Sequence, residues 1–202
     1  MTLLLHACCA QCLLDVWDAA RKATGDCAPG DVLVFFENPN IHPYGEFAKR
    51  EKSARLVAER LGARFESTGY GLAEFLRAVY NEPGLGDPAA HGESGDRARC
   101  RVCYRMRLGA AAARAAENGA CFASTLQSSP MQDHAAVLEV GREAGARAGV
   151  RFVDADWRAL HGTGEAPKGL RVHRQQYCGC VFSEFERFGP ERSRGERECP
   201  TK

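Results

Sequence analysis

Cysteines in three separate parts of the chain have the spacing of metal ligands. They stand in His6-Ala7-Cys8-Cys9-Ala10-Gln11-Cys12, in Cys100-Arg101-Val102-Cys103 and in Cys178-Gly179-Cys180. Adjacent cysteines in extended chain face opposite ways, and a Cys-Gly-Cys segment is too tight for an unstrained internal disulfide. We therefore predict one shared metal site, formed by Cys8, Cys9, Cys12, Cys100, Cys103, Cys178 and Cys180.

The thiols alone leave the kind of metal open. All-thiolate sites select zinc or an iron–sulfur cluster. A structural zinc ion takes four ligands and leaves the other thiols without a role, whereas a cluster with a further metal, or with a redox-active thiol pair, uses all of them. Cys100 and Cys103 by themselves also fit a redox dithiol. The isolated cysteines Cys27, Cys121 and Cys199 are expected to take no part in the chemistry.

A glycine- and proline-rich loop is predicted over residues 81–96, and a helix is predicted to begin near Arg99. Cys100 and Cys103 would then lie in its first turn, on one face, so that both thiols can bind one metal centre. The positive end of the helix, together with Arg99 and Arg101, is expected to lower both thiol pKa values and to favour the thiolates that metal binding requires.

Arginines flank two of the three cysteine groups and indicate an anionic partner. A nucleic-acid phosphate backbone fits this charge. The predicted contacts are Arg99, Arg101, Arg105, Arg107 and Arg174. A solubilising surface is the alternative, because the formal net charge of the chain is only +1.

Length and composition are those of an ordinary globular protein. The chain has 202 residues, of which 45% are hydrophobic and 26% charged, enough for one buried core. We expect one metalloenzyme domain over residues 1–188 and a disordered, polar tail over residues 189–202. Neither an export signal nor a membrane-spanning run is found, so we expect a cytoplasmic protein without a membrane partner. In that reducing compartment, ten cysteines favour metal binding over disulfides.

Strand and helix patterns alternate along the chain. Apolar runs predict strands at residues 3–5, 32–36, 63–67, 121–126 and 150–153. Helical patterns lie between them, and Ser129-Pro130-Met131-Gln132 has the form of a capping box that opens the last one. This alternation predicts a three-layer, Rossmann-like α/β fold with a mostly parallel sheet. Ligands of such folds bind beyond the carboxyl ends of strands, which is where Cys8 and Cys9 stand.

Four ordered motifs resemble the QueH family of epoxyqueuosine reductases. They are His6-x-Cys8-Cys9-Ala10-x-Cys12, Asn38-Pro39-Asn40-Ile41-His42-Pro43, Arg99-Cys100-x-x-Cys103-Tyr104-x-x-Arg107-Leu108 and Gln176-Tyr177-Cys178-Gly179-Cys180. The resemblance implies a HUP-like α/β fold related to the PP-loop tRNA-modifying enzymes, with cysteines in place of their ATP loop. It also implies a [4Fe-4S] cluster with a neighbouring iron, for which Cys8, Cys9, Cys100, Cys103, Cys178 and Cys180 match the recurring cysteines. Cys12, which is aspartate in some members, would be a further metal ligand.

The activity that the resemblance implies is the reduction of epoxyqueuosine to queuosine at the wobble position of tRNA. The hypothesis is a two-electron removal of the epoxide oxygen, with a metal outside the cluster as Lewis acid and the cluster as the source of single electrons. Asp133 is the candidate general acid and His42 a second one; a helix-dipole role for Asp133 and a structural role for His42 are the alternatives. The expected partners are tRNA and an external electron donor, such as a ferredoxin, a flavodoxin or a chemical reductant.

Two other functions compete with the reductase. A PP-loop-like tRNA-thiolating enzyme needs an ATP-binding glycine–serine loop after the first strand, and this sequence has none there. A non-catalytic, zinc-stabilised RNA-binding module would be colourless, would hold zinc tightly and would catalyse no reaction. We therefore predict an oxidoreductase of tRNA processing and queuosine biosynthesis.

Overall fold

The computed structural model of the chain describes residues 2–83 and 93–189. The rest of the predicted tail, with Cys199, lies outside the described residues, as do residues 84–92 of the predicted loop. The domain boundary at residue 188 stays a prediction.

Four parallel strands form the sheet at the centre of the fold. They are β1 (Leu3–His6), β2 (Val32–Phe36), β3 (Arg64–Ser67) and β4 (Cys121–Ser124), in the order β3-β2-β1-β4. The last predicted strand is reduced to a single parallel bridge between Phe152 and Phe122. All residues of β1, β2 and β4 are buried, as expected for strands covered on both faces. The predicted parallel sheet is confirmed.

Helices cover both faces of this sheet. They are α1 (Ala10–Lys22), α2 (Tyr44–Arg60), α3 (Leu72–Asn81), α4 (Glu93–Glu117), α5 (His134–Ala148) and α6 (Val181–Phe188). Leu5 packs with α1 and α2 on one face, and Leu4 packs with α4 and α5 on the other, because successive side chains of a strand point to opposite sides. The predicted three-layer architecture is confirmed. Within the described residues, no helix combines the length and apolar character that crossing a membrane requires.

The strand order creates a crevice at the carboxyl end of β1. The chain passes from β1 to β2 on one side and returns to β4 on the other, so loops leave β1 and β4 in opposite directions. Ligands of doubly wound folds bind at such a switch point. Cys8 and Cys9 follow β1 there, and Thr125 follows β4.

Two predicted helix starts are wrong. α4 begins at Glu93 rather than near Arg99. α5 begins at His134 with Asp133 as its N-cap, and not at Pro130. The predicted capping box at Ser129 does not form, because the Ser129 hydroxyl accepts from the nearby Met131 N–H at 3.3 Å and the Gln132 side chain is turned towards other partners.

The loop before the third cysteine group packs its backbone directly on α1. The buried Asp15 carboxylate accepts hydrogen bonds from the backbone N–H groups of Gly162 and Gly164 at 3.0 and 2.9 Å. A Cβ at position 164 would lie 2.4 Å from the carbonyl carbon of Leu14. Only glycine allows the two backbones to approach so closely.

We expect Gly164→Ala to destabilise the protein by about 1–3 kcal/mol, because the added methyl group forces two backbones apart. Gly109→Ala is the matched control, since a Cβ there meets nothing within 4 Å. As an alanine inside a helix it should stabilise the protein by about 0.5–1 kcal/mol. Thermal unfolding of both variants beside the wild type measures the difference, and equal transition temperatures would contradict the close approach.

Candidate metal centre

The turn between β1 and α1 gathers the first three thiols. The Sγ atoms of Cys8, Cys9 and Cys12 lie within 4.8 Å of one another. Cys9 is the N-cap of α1, and its Sγ accepts a hydrogen bond from the Cys12 N–H at 3.3 Å. Thiolates around a tetrahedral ion with bonds of about 2.3 Å lie about 3.8 Å apart. The three cysteines, called the triad below, can therefore bind one metal ion and leave one of its positions open.

Negative charge is distributed unequally within the triad. Hydrogen bonds from Cys12 and Cys9, with smaller contributions from Arg107 and Thr125, lower the pKa of Cys8 well below its usual range. Hydrogen bonds with Cys8 and Cys9, and then burial, raise the pKa of Cys12. The Thr125 hydroxyl donates to Cys8 Sγ at 3.2 Å. Of the three thiols, Cys8 therefore has the environment that most favours loss of its proton.

A second group, called the quartet, consists of Cys100 and Cys103 on α4 and Cys178 and Cys180 on the loop before α6. Cys103 and Cys180 belong to one buried cluster of side chains. No three Sγ atoms of these four described residues lie within 4.8 Å of one another, so their spacing exceeds that around a single ion. Four cysteine thiolates are also the ligand set of a [4Fe-4S] cluster. The type and number of the quartet side chains fit such a group.

The predicted lowering of the pKa values of Cys100 and Cys103 is wrong. Burial raises the pKa of Cys100 to about 11 against the effect of Arg99, and raises that of Cys103 to about 12 against the effect of Arg107. The other two thiols of the quartet raise both values further. Because α4 begins at Glu93, its positive end lies about two turns before Cys100, too far to favour a thiolate.

Arg50 holds the Cys178 loop in place. Its side chain is 1% exposed, and its Nη1 and Nη2 donate to the carbonyl oxygens of Cys178 at 2.9 Å and Tyr177 at 3.1 Å. Nε donates to the Glu46 carboxylate at 2.6 Å, which balances the buried charge. Sequence analysis missed this role, since α2 carries many basic residues and only the tertiary approach of the loop distinguishes Arg50.

Gly179 is required by the same contact. Its φ is +126°, and a Cβ there would lie 2.9 Å from Arg50 Nη1 and 3.2 Å from Ile41 Cγ1. The His42 N–H donates to the Gly179 carbonyl at 2.7 Å. Glycine at this position thus lets the Cys-Gly-Cys segment turn sharply against the segment after β2.

Arg107 lies between the two thiol groups. It is 2% exposed, and its guanidinium donates to Cys103 Sγ at 3.7 Å and to Asn38 Oδ1 at 2.6 Å. Its Nε lies 3.4 Å from Nε2 of His6, whose pKa is lowered to about 3 by burial and by Arg107. His6 is therefore neutral, and Arg107 is the cation at this point.

The other predicted RNA-binding arginines are not part of the lining of the cavity described below. Arg99, Arg101 and Arg105 form ion pairs of 2.7 Å with Glu186, Glu139 and Glu82, respectively. Arg174 is exposed. Contact of these arginines with RNA stays a prediction.

Asp133 has a structural role in the described fold. Its carboxylate accepts from the Ala136 N–H at 3.1 Å and so caps α5. His42 Nδ1 lies 3.0 Å from a carboxylate oxygen of Glu184. A role of either side chain as general acid stays a prediction.

One cavity joins the triad and the quartet. Its lining includes Cys8, Cys12, Arg107, Gln132, Gln175 and Cys178. Gln132 Nε2 donates to Cys178 Sγ at 3.3 Å, and Gln175 Nε2 donates to Cys9 Sγ at 3.1 Å. Sequence analysis missed both glutamines, because neutral amides occur on any surface and neither position belongs to a metal-ligand pattern. The structure thus brings cysteines of the first and third groups to one opening at the carboxyl edge of the sheet, together with Arg107 from the helix that carries the second group.

Residues 3–186 match the family model described as "Epoxyqueuosine reductase QueH". The chain belongs to this family. A curated relative of the same name from Dehalococcoides mccartyi is 36% identical over 197 residues, which are 95% of this chain and 97% of the relative. Another from Thermotoga maritima is 31% identical and covers 92% of each chain. A third, from Histophilus somni, is 34% identical over 90% of this chain and 71% of its own length. The family consists of reductases, so the protein is an oxidoreductase, as the resemblance predicted.

The geometry of the triad predicts that the metal-free protein binds one soft divalent ion tightly at this site. We expect Cys12→Ala to lower the Co²⁺ affinity of this site by at least about 10–100-fold. Loss of a residue that only hydrogen-bonds to a metal ligand already lowers affinity by about that factor. The probe is the thiolate-to-cobalt absorption of the metal-free protein during anaerobic titration. Cys27→Ala removes a buried thiol of the hydrophobic core and should leave the titration unchanged. An unaltered titration of Cys12→Ala would exclude the triad as a metal site.

Proposed function

We propose that the chain reduces epoxyqueuosine to queuosine at the wobble position of tRNA, in the cytoplasm. The family and the names of its members support this reaction. The observation that carries the proposal is the cavity lined by thiols of both groups and by Arg107. Its volume of about 180 Å³ is below the range of about 300–1,000 Å³ for drug-sized ligands, so it suits the small ring that carries the epoxide rather than a whole nucleoside.

The donor sets support an assignment of the metals. We assign a [4Fe-4S] cluster to the quartet, because four thiolates complete the ligand set of a cluster. We assign a mononuclear iron to the triad, because three ligands leave a position that a substrate oxygen can enter. When bound, these groups supply electrons one at a time and a Lewis acid for the epoxide oxygen.

The residues of the chain bind the ring and stabilise charge. Removal of the epoxide oxygen consumes two electrons and two protons and yields an alkene and water. The electrons come from an external donor of the ferredoxin or flavodoxin type, or from a chemical reductant. Arg107 at the cavity wall stabilises the negative charge that develops on the departing oxygen. Leu126, a buried apolar residue of the lining, keeps water from that side of the charge and strengthens the interaction.

A proton donor must serve the departing oxygen. Asp133 directly follows Gln132, which lines the cavity. One carboxylate oxygen of Asp133 caps α5, and the other can hold the proton. We keep Asp133 as the candidate general acid and assign His42 to the loop that contacts Gly179.

The phosphate backbone of the tRNA needs cations on the surface around the cavity. Arg101, Arg105 and Arg174 fit this task, because the first two are partly exposed and the third is exposed. Arg99 and Arg107 are only 7% and 2% exposed. We assign Arg107 to the cavity instead, and Arg99 to the packing of α4 against α6.

Anaerobically purified protein should be brown and should contain iron and sulfide. With a strong reductant it should convert epoxyqueuosine in tRNA to queuosine, as measured by nucleoside mass spectrometry. Cys178→Ala should abolish the conversion, because it removes one cluster ligand, while Cys27→Ala should retain it. Colourless protein that holds zinc and forms no cluster on reconstitution would instead support the RNA-binding module.

Asp133→Asn separates the two roles of Asp133. Asparagine keeps the oxygen that caps α5, so stability should change little, whereas Asp133→Ala should cost about 0.5–2 kcal/mol. A general acid contributes about 10²–10⁴-fold to a rate. We therefore expect kcat of Asp133→Asn to fall by at least about 10²-fold at unchanged stability. Full activity of this variant would leave Asp133 as a helix cap alone.

A further inference from the structure

A chain of hydrogen bonds runs from the backbone of α5 to a sulfur of the quartet. The Asp133 N–H donates to the Tyr104 hydroxyl oxygen at 3.2 Å. The Tyr104 O–H donates to Gln132 Oε1 at 3.0 Å, and Gln132 Nε2 donates to Cys178 Sγ at 3.3 Å. Tyr104 is 1% exposed and stands in α4 directly after Cys103.

This chain fixes the direction of the Gln132 amide. A hydroxyl has one proton to donate. Because the Tyr104 oxygen already accepts from a backbone N–H, its own proton goes to Gln132 Oε1. Rotation of the Gln132 amide by half a turn would place its N–H₂ group against the Tyr104 O–H, donor against donor. The N–H₂ group is therefore held towards Cys178.

A neutral donor at this sulfur has a specific electrostatic effect. Cys178 is half-buried at the cavity wall. Desolvation followed by Cys180 raises its pKa, while the Gln132 hydrogen bond and Arg107 lower it. A donor withdraws electron density from a thiolate ligand, and hydrogen bonds to sulfur are among the factors that set the reduction potential of a cluster. Removing the donor leaves more charge on the sulfur and makes a cluster harder to reduce.

We propose that Gln132 is a positioning residue that raises the reduction potential of the cluster through its hydrogen bond to Cys178, and that Tyr104 acts through Gln132. This inference rests on the proposed assignment of a [4Fe-4S] cluster to the quartet. Neither side chain needs to touch the substrate for this role. The two residues thereby determine how strong a reductant the external electron donor must be.

The test is a redox titration of the cluster in the holoenzyme, followed by electron paramagnetic resonance and performed without tRNA. Gln132→Leu should shift the reduction potential to a more negative value, at unchanged iron and sulfide content. Tyr104→Phe should shift it in the same direction by a smaller amount, because the amide then turns freely. This second variant keeps the aromatic ring, so it tests the inference even where Gln132→Leu assembles less cluster.

The double variant tests whether Tyr104 acts through Gln132. In the Gln132→Leu background, Tyr104→Phe should produce no further shift, since the two residues belong to one interaction. Gln176→Leu is the matched glutamine control, because Gln176 lines the same cavity and its side chain has no hydrogen bond to sulfur among the described residues. Tyr80→Phe is the tyrosine control, with a side chain that is 66% exposed. Both controls should retain the wild-type potential.

The outcomes separate this inference from the proposed reaction. An unchanged potential in Gln132→Leu, or equal shifts in the controls, would overturn the role of Gln132. Additive shifts in the double variant would overturn the relay through Tyr104. The expected shifts in a protein that leaves epoxyqueuosine unreduced would overturn the proposed reaction alone. A wild-type protein that forms no cluster would overturn both.

Discussion

Arg107 is the residue on which both thiol groups depend. Metal binding requires several buried thiols to lose their protons, which concentrates negative charge in a region of low dielectric constant. Arg107 lowers the pKa of Cys8 in the triad and opposes the increase in the pKa of Cys103 and Cys178 in the quartet. Because His6 beside it is neutral, the arginine keeps its charge for the sulfurs. A lysine has neither the planar donor set nor the reach to serve sulfur and the Asn38 amide together.

The sheet positions the site, and two loops complete it. β1 delivers the triad directly, since only Ala7 separates His6 from Cys8. The quartet needs a long-range approach, in which α4 crosses the sheet and the segment around Gly179 is held by Arg50 and by the His42 N–H. The triad is therefore positioned by the sheet itself. The quartet also depends on the Arg50–Glu46 ion pair, which holds the loop of Cys178.

Sequence alone was sufficient for the three layers and for four of the five predicted strands. Buried parallel strands are short apolar runs, and β1, β2 and β4 are such runs without interruption. Helix starts were less predictable: Pro130 and Ser129 have the local form of a cap, but the Gln132 side chain that would close the box bonds Cys178 instead. The pKa prediction for Cys100 failed for a related reason, because the helix extends over Glu93–Arg99, where the sequence has the composition of a loop.

The residues around the sulfurs were not predictable, because their roles arise only in the folded chain. Arg50 lies in a basic stretch of α2 that is typical of a solvated helix face, and Gln132 and Gln175 are neutral. What distinguishes them is a side-chain hydrogen bond to a carbonyl or a sulfur of a distant segment. Candidate ligands can thus be recognised from residue type and spacing, whereas the groups that hydrogen-bond to them are recognised only in the tertiary structure.

Two of the cysteines begin helices, and this connects metal loading to folding. Cys9 Sγ accepts the Cys12 N–H at the start of α1, and Cys180 Sγ accepts the Ser183 N–H at the start of α6, both at 3.3 Å. A thiolate is a stronger acceptor than a thiol, and its charge is favourable at a helix N-terminus. Deprotonation of either sulfur by a metal therefore strengthens the cap that the same atom provides. Metal binding at these sulfurs would therefore be thermodynamically linked to the first turns of α1 and α6, and loss of the metal would loosen both turns.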